Sequence, residues 1–227
     1  MPSFLHIWHA DLTANDAVWL AIGNVLSPAE LAHQAQLRPL ARRQTYGRAH
    51  CFLRAVLELY TLQPAKNLYF TKDKLGKPLL VDFTLHFNLS YRADRALLVV
   101  SDAGPVGADV EQLAPLAEAE ALAEELFSAE EQLALRTAAA RASCGPVFYT
   151  IWTRKEAYAK ALGMNLSVAF AQFSVLEPSA AGPPALVEPA GACLYSFAVG
   201  AGYQGAGALL PEGAPPTPQY FRYPSDL

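Results

Sequence analysis

Cysteine is scarce in this chain. Cys51, Cys144 and Cys193 are the only three in 227 residues, odd in number and far apart. They form no C-x-x-C pair and no Cys/His spacing of the kind that holds a metal, so the plain reading is a reduced, cytoplasmic protein. Charge is sparse as well: 17% of the residues are Asp, Glu, Lys or Arg, against about 25% in an average domain. The net charge is -4 and no long run of like charges occurs, so bulk electrostatics give no reason to expect a nucleic-acid partner. Long hydrophobic runs are missing. Nothing approaches the ~18 uninterrupted apolar residues of a membrane span, so no membrane partner is expected. Residues 1–9 lack a basic stretch followed by an apolar run, and no signal peptide is expected.

What is abundant is apolar bulk, 52% of the chain, ample for one large domain or two small ones. Residues 4–8 alternate and are aromatic and β-branched, which predicts a first strand; His6 and His9, in or beside it, read as edge or core histidines rather than a metal pair. Ser27, Pro28 and Glu30 mark a helix start. Residues 42–59 form an amphipathic helix rich in arginine. Lys72-Asp73-Lys74-Leu75-Gly76-Lys77-Pro78 is a charged turn. Residues 96–100 are a buried strand. Residues 118–126 are helical, and Ser128 with Glu131 caps the next helix. Residues 136–146 read as a loop. Past Gly163 the pattern is β-like at 173–176, 194–198 and 206–210, with a Pro/Gly/Ala-rich loop at 178–191. Asn165, following the helix end, tolerates the left-handed conformation a turn needs there. Residues 211–227 read as a Pro-rich, poorly structured tail that packs by its aromatics.

Two stretches carry chemistry. In Val106-Gly107-Ala108-Asp109-Val110-Glu111, Asp109 and Glu111 are two apart, so a strand points both carboxylates the same way. Like charges on one face are unfavourable unless compensated, and a divalent cation is one compensator; a solvated acidic edge is the plain alternative. In Trp152-Thr153-Arg154-Lys155-Glu156-Ala157-Tyr158-Ala159-Lys160-Ala161-Leu162-Gly163, strong helix formers run up to a glycine stop. Glu156 and Lys160 are four apart and share a face. Alone they read as an ordinary surface pair. Set beside Asp109 and Glu111, Glu156 completes a three-carboxylate oxygen site suited to Mg²⁺.

The two stretches, in this order, resemble the signature of 4′-phosphopantetheinyl transferases of the Sfp type: G-(I/V)-D-(I/V)-E, then W-(S/T)-x-K-E-A-(x)-x-K-(x)-x-G. Asp109, Glu111, Lys155, Glu156 and Lys160 all match. The resemblance implies an α+β fold of two pseudo-symmetric α/β halves with the active site at their junction, here residues 1–104 and 105–210. It implies transfer of 4′-phosphopantetheine from coenzyme A to a serine of an acyl or peptidyl carrier protein, releasing adenosine 3′,5′-bisphosphate. Mg²⁺ would be held by Asp109, Glu111 and Glu156. Glu156, or a metal-bound water beside it, would take the serine proton, while Lys160 neutralises the pyrophosphate and Lys155 adds a phosphate contact. His50-Cys51-Phe52-Leu53-Arg54 matches a family motif that helps hold coenzyme A phosphates, which suggests Arg54 and Arg48 as contacts. Gly76-Lys77-Pro78 matches a motif at the adenine and 3′-phosphate end, bringing in Lys77 and Pro78. Phe87-Asn88-Leu89-Ser90-Tyr91 matches F-N-x-S-H with Ser90 kept and Tyr91 where the family has His. A tyrosine hydroxyl donates a hydrogen bond but brings no positive charge; Arg92, next in line, could supply it. The family type implied by the length is monomeric. Two other readings stand beside it: a Mg²⁺-dependent nuclease or phosphatase, and a catalytically degenerate homologue that binds coenzyme A or a carrier protein.

Overall fold

The computed structural model describes residues 2–14, 18–19, 24–115, 119–139, 144–164, 170–176, 186–187 and 191–225. β1 (Leu5–Asp11) is indeed the first strand. α1 (Pro28–Gln36) starts at Ser27, whose Oγ accepts from the Glu30 amide while the Glu30 carboxylate accepts from the Ser27 amide, a reciprocal cap. α2 (Leu40–Thr61) is the arginine-rich helix. A short ribbon, β2 (Phe70–Lys72) and β3 (Pro78–Leu80), follows, then β4 (His86–Arg92) and β5 (Arg95–Ser101).

β5 fixes the layering. Ala96, Leu97, Leu98, Val99 and Val100 are all fully buried, so both faces of the strand are apolar and both must be covered. Its sheet has the order β10-β1-β5-β4, where β10 is Pro218–Tyr223. On one face Leu98, Val100 and Trp8 pack on Phe52, Leu53, Val56 and Leu57 of α2. On the other, Leu5, Ile7, Leu97 and Val99 meet a second sheet through Val106, Ala108, Val110, Tyr195 and Leu209.

That second sheet has β6 (Val106–Gln112), β7 (Leu186–Val187), β8 (Ala192–Ala198) and β9 (Tyr203–Leu209) in the order β6-β9-β8-β7. Two shorter helices, α3 (Ala119–Leu126) and α4 (Ala129–Ala139), lead to α5 (Cys144–Leu162). Ile151, Ala157, Tyr158 and Ala161 of α5 cover the sheet's outer face at Leu194, Ala206 and Ala208. The result is helix, sheet, sheet, helix: an α+β fold in four layers.

Three expectations change. Part of the tail is an ordered strand: β10 runs parallel to β1 from Leu5↔Pro218 to Ala10↔Tyr223. Pro218 opens it, a position where a missing N–H does no harm, and Phe221 stacks on Trp8 while Tyr223 is buried against Phe52. The expected loop at 136–146 is largely helical in its described residues, because α4 continues to Ala139 and α5 begins at Cys144. Residues 173–176 form no strand; a 3₁₀ turn at Phe170–Gln172 leads into irregular chain whose backbone groups are taken by buried side chains described below. Asn165, Glu118 and most of the 178–191 loop lie outside the described residues.

Candidate active site

β6 presents two different faces. Val106, Ala108 and Val110 enter the core between the sheets, leaving Gly107, Asp109 and Glu111 on the alternate face, toward α5. Gly107 is the point of contact: a Cβ built there would lie 1.8 Å from the Ala157 carbonyl oxygen and 2.7 Å from the Ala161 nitrogen. The helix therefore rests on bare strand backbone. That approach brings Lys160 Nζ to 2.6 Å from Asp109 Oδ1 and 3.1 Å from the Ala108 carbonyl, with Glu156 Oε2 at 3.8 Å.

The site carries surplus negative charge. Burial pushes the Glu156 carboxyl up to about 7, with Lys160 opposing and the Asp109 and Glu111 carboxylates adding to the rise. Glu111 is raised too, by burial and then by Asp109, against Arg92, Lys160 and Trp152. The Arg92 guanidinium, largely exposed, sits 3.3 Å from Glu111. Asp109 Oδ2 is buried without a hydrogen-bond partner. Among the described residues no three His, Cys, Asp or Glu side chains are gathered into a ligand set. The donor chemistry nevertheless fits a hard dication: all oxygen, over-acidic, and with one buried carboxylate oxygen still unsatisfied.

The site lies on a seam. β4 is the last strand of the first sheet and β6 the first of the second, and they meet through side chains instead of a backbone ladder. Asn88 Oδ1 accepts from the Ala108 amide at 2.8 Å, and Ser90 Oγ accepts from the Val110 amide while donating to Asp109 Oδ1, both at 3.3 Å. Lys77 crosses the same seam, its ammonium donating to the carbonyls of Val106 at 2.8 Å and Lys160 at 2.7 Å. Burial pushes it down to about 8, against Asp73.

Residues 105–206 match the model of the 4′-phosphopantetheinyl transferase superfamily. The chain is 30% identical to 4′-phosphopantetheinyl transferase HetI of a Nostoc species over 167 residues, covering 72% of this chain and 70% of HetI. The chain belongs to the 4′-phosphopantetheinyl transferase superfamily. It is also 33% identical to the transferase gsp of Aneurinibacillus migulanus over 110 residues, 48% of this chain and 44% of gsp. With AcpT of Escherichia coli K12 it shares 34% over 137 residues, 60% of this chain and 65% of AcpT. Against gsp the match thus spans less than half of the relative's length, against HetI more than two thirds.

Of the residues that the superfamily signature points to, Ser90, Asp109, Glu111, Glu156 and Lys160 come together at the seam, with Lys77 behind the end of α5. Pro78 opens β3 opposite Lys72. Tyr91 is exposed at the end of β4, its ring 6.2 Å from that of His50. Arg48 is half-buried and donates to the Leu12 carbonyl. Arg54 and Lys155 are placed otherwise than as phosphate contacts. The Arg54 guanidinium is 1% exposed, paired with Glu30 at 2.7 Å, donating to the Ala65 and Leu68 carbonyls and lying over Phe70. Lys155 is fully buried against Glu131. Both cations are consumed by the fold because each finds a carboxylate, partly buried Glu30 or fully buried Glu131, and free carbonyls nearer than solvent. Asn88 was not among the expected site residues, although it stands in the F-N-x-S-H match beside Ser90.

Proposed function

We propose that this chain transfers 4′-phosphopantetheine from coenzyme A to a serine hydroxyl of an acyl or peptidyl carrier protein, with Mg²⁺, and releases adenosine 3′,5′-bisphosphate. The observation that carries this reading is the convergence of Asp109, Glu156 and Lys160 where β6 meets α5. Phosphoryl-type transfer needs positioning and charge stabilisation more than covalent chemistry by the protein.

Asp109, Glu111 and Glu156 would hold the cation, which when bound supplies charge neutralisation on the pyrophosphate. Glu156, or a water beside it, would take the serine proton. The serine oxygen bonds to the phosphorus bearing the pantetheine arm, its proton passes to Glu156 or that water, and the phosphoanhydride bond to the adenosine bisphosphate breaks. Lys160 offers its ammonium to the pyrophosphate oxygens, and Ser90 holds Asp109 in place. Lys77 and Arg92, both at the seam, are the cations nearest to hand for the remaining phosphates. Arg92 would stand in for the charge that Tyr91 lacks.

No helix among the described residues is long and apolar enough to cross a membrane, and all three cysteines are free thiols. Free thiols accord with a reducing compartment such as the cytoplasm, and the monomeric state is proposed from the family type alone. Intact-mass measurement of an apo carrier protein after incubation with coenzyme A and Mg²⁺ tests the reading. The expected result is a gain of one phosphopantetheine, abolished by chelator and by Glu156→Gln. No gain on several unrelated carriers, with the protein folded, would move the reading to a degenerate binding homologue.

A further inference from the structure

Lys155 precedes Glu156 in α5 but enters wholly different surroundings. Its ammonium lies 2.8 Å from Glu131 Oε2, donates to the Phe173 carbonyl at 2.7 Å, and makes a short hydrogen bond to the Phe170 carbonyl. An ammonium has three N–H donors, so none is left for a phosphate. The Phe173 ring covers it at 4.3 Å. Glu131 is equally committed. Oε2 also accepts from the Ser128 amide, and Oε1 accepts from the Val175 amide, both at 2.8 Å. Both side chains are 0% exposed. Arg154, one residue earlier, donates to the Val175 carbonyl at 3.0 Å and to Ser196 Oγ at 2.6 Å. The amide and the carbonyl of Val175 are therefore gripped by opposite charges from two helices.

A capping box explains only the Ser128 contact of Glu131, and such a cap does not need a buried lysine. A saturated buried ion pair is weak evidence for stability but can fix one arrangement among several. Here the arrangement is the rotation of α5 about its axis. Side-chain heads stand about 5–6 Å from a helix axis, so turning α5 by about 10° would move the Glu156 carboxylate and the Lys160 ammonium by about 1 Å. A misplacement of about 1 Å can cost about 100-fold in rate.

We infer that Glu131, acting through Lys155, is a positioning residue that sets the rotational register of α5 and thereby aims Glu156 and Lys160 at Asp109. The inference rests on the transferase reading for its kinetic consequence and on the geometry alone for the anchor. No contact with coenzyme A is assigned to either residue.

The test uses the full chain with Glu131→Gln, Lys155→Met and the double variant Glu131→Leu/Lys155→Met, each checked for folding by near-ultraviolet circular dichroism. Transfer kinetics and amide hydrogen exchange are measured well below the melting temperature. In the folded single variants kcat should fall about 10- to 100-fold while KM for coenzyme A stays within about threefold. Exchange should quicken at residues 150–162 and 170–176 and stay unchanged at 86–101. The double variant, with the charges replaced by apolar groups, should recover melting temperature more than kcat. If Lys155→Met raises KM with kcat intact, Lys155 is a phosphate contact and the inference fails. If folded variants keep the kcat of the unaltered protein, or if recovery of melting temperature restores kcat in full, the pair is merely structural. Should the unaltered chain transfer nothing, the transferase reading fails by itself; exchange then decides the anchor, which falls if residues 170–176 are unaffected by Glu131→Gln and otherwise stands.

Discussion

Gly107 and Ala157 touch backbone to backbone: a Cβ on the glycine would come within 1.8 Å of the alanine carbonyl oxygen. No rotamer relieves a clash between a Cβ and a carbonyl, so Gly107→Ala must push α5 off β6. We expect the substitution to cost about 3 kcal/mol or more in stability, as overpacking does. Because the displaced element carries Glu156 and Lys160, transfer should fall about 100-fold even where the protein stays folded. Thermal unfolding and intact-mass assays on the same preparation check both.

Glu156 gives a pH signature in chelated protein. Its folded value, about 7, lies above the ordinary 4.5. The unfolded chain thus gives up this proton more readily than the fold does. The favourable contribution is present in full below pH 4.5 and is lost as pH rises through 7, at most about 3 kcal/mol. Melting temperature without metal should therefore drop between pH 5 and pH 8. Glu156→Gln should flatten that part of the profile, and added Mg²⁺ should restore stability at pH 8 in the unaltered protein alone.

Glu30 behaves in the opposite sense. Burial alone would raise it, but hydrogen bonds from His50, Arg54 and Ser27 overcome that and hold it at about 2. Its contribution is present above pH 4.5 and is lost as pH falls through 2. Glu30→Gln leaves Arg54 buried without its carboxylate and should cost about 3 kcal/mol at pH 7. The gap between variant and unaltered protein should narrow steadily from pH 4.5 downward in denaturant titrations.

Tyr91→His restores the residue that the family motif carries. KM for coenzyme A should fall or stay level, with kcat unchanged. A clear rise would mean that Tyr91, set edge-on to His50, is adapted to this site.

How far the sequence could be read follows from where each side chain finds its partner. Asp109 with Glu111, and Glu156 with Lys160, were legible because each pair lies within one element, and element geometry fixes which way its members point. Arg54 and Lys155 were not. Residue type reveals that a cation is there, not whether it faces solvent, and their partners Glu30 and Glu131 belong to other helices. The strand at 173–176 failed for the same reason: Arg154 and Glu131 offer its backbone a side-chain alternative to a ladder. β10 was missed because a parallel partner at the far end of the sequence leaves no local mark, and prolines in residues 211–218 resemble a loop. Asn88 was visible as part of the F-N-x-S-H match, but only the β4–β6 seam shows which amide it serves.

The pairing of β10 with β1 also bears on how the molecule is made. A chain synthesised from its N-terminus can form α2 and pair β1 with β5 early, yet the outer edge of β1 stays bare until residue 223 is available. Contacts so far apart in sequence close slowly, and an uncovered apolar strand edge is a template for foreign pairing. The vulnerable species is thus the chain made past Leu209 but not yet through Tyr223, whose second sheet is complete while the first still lacks β10.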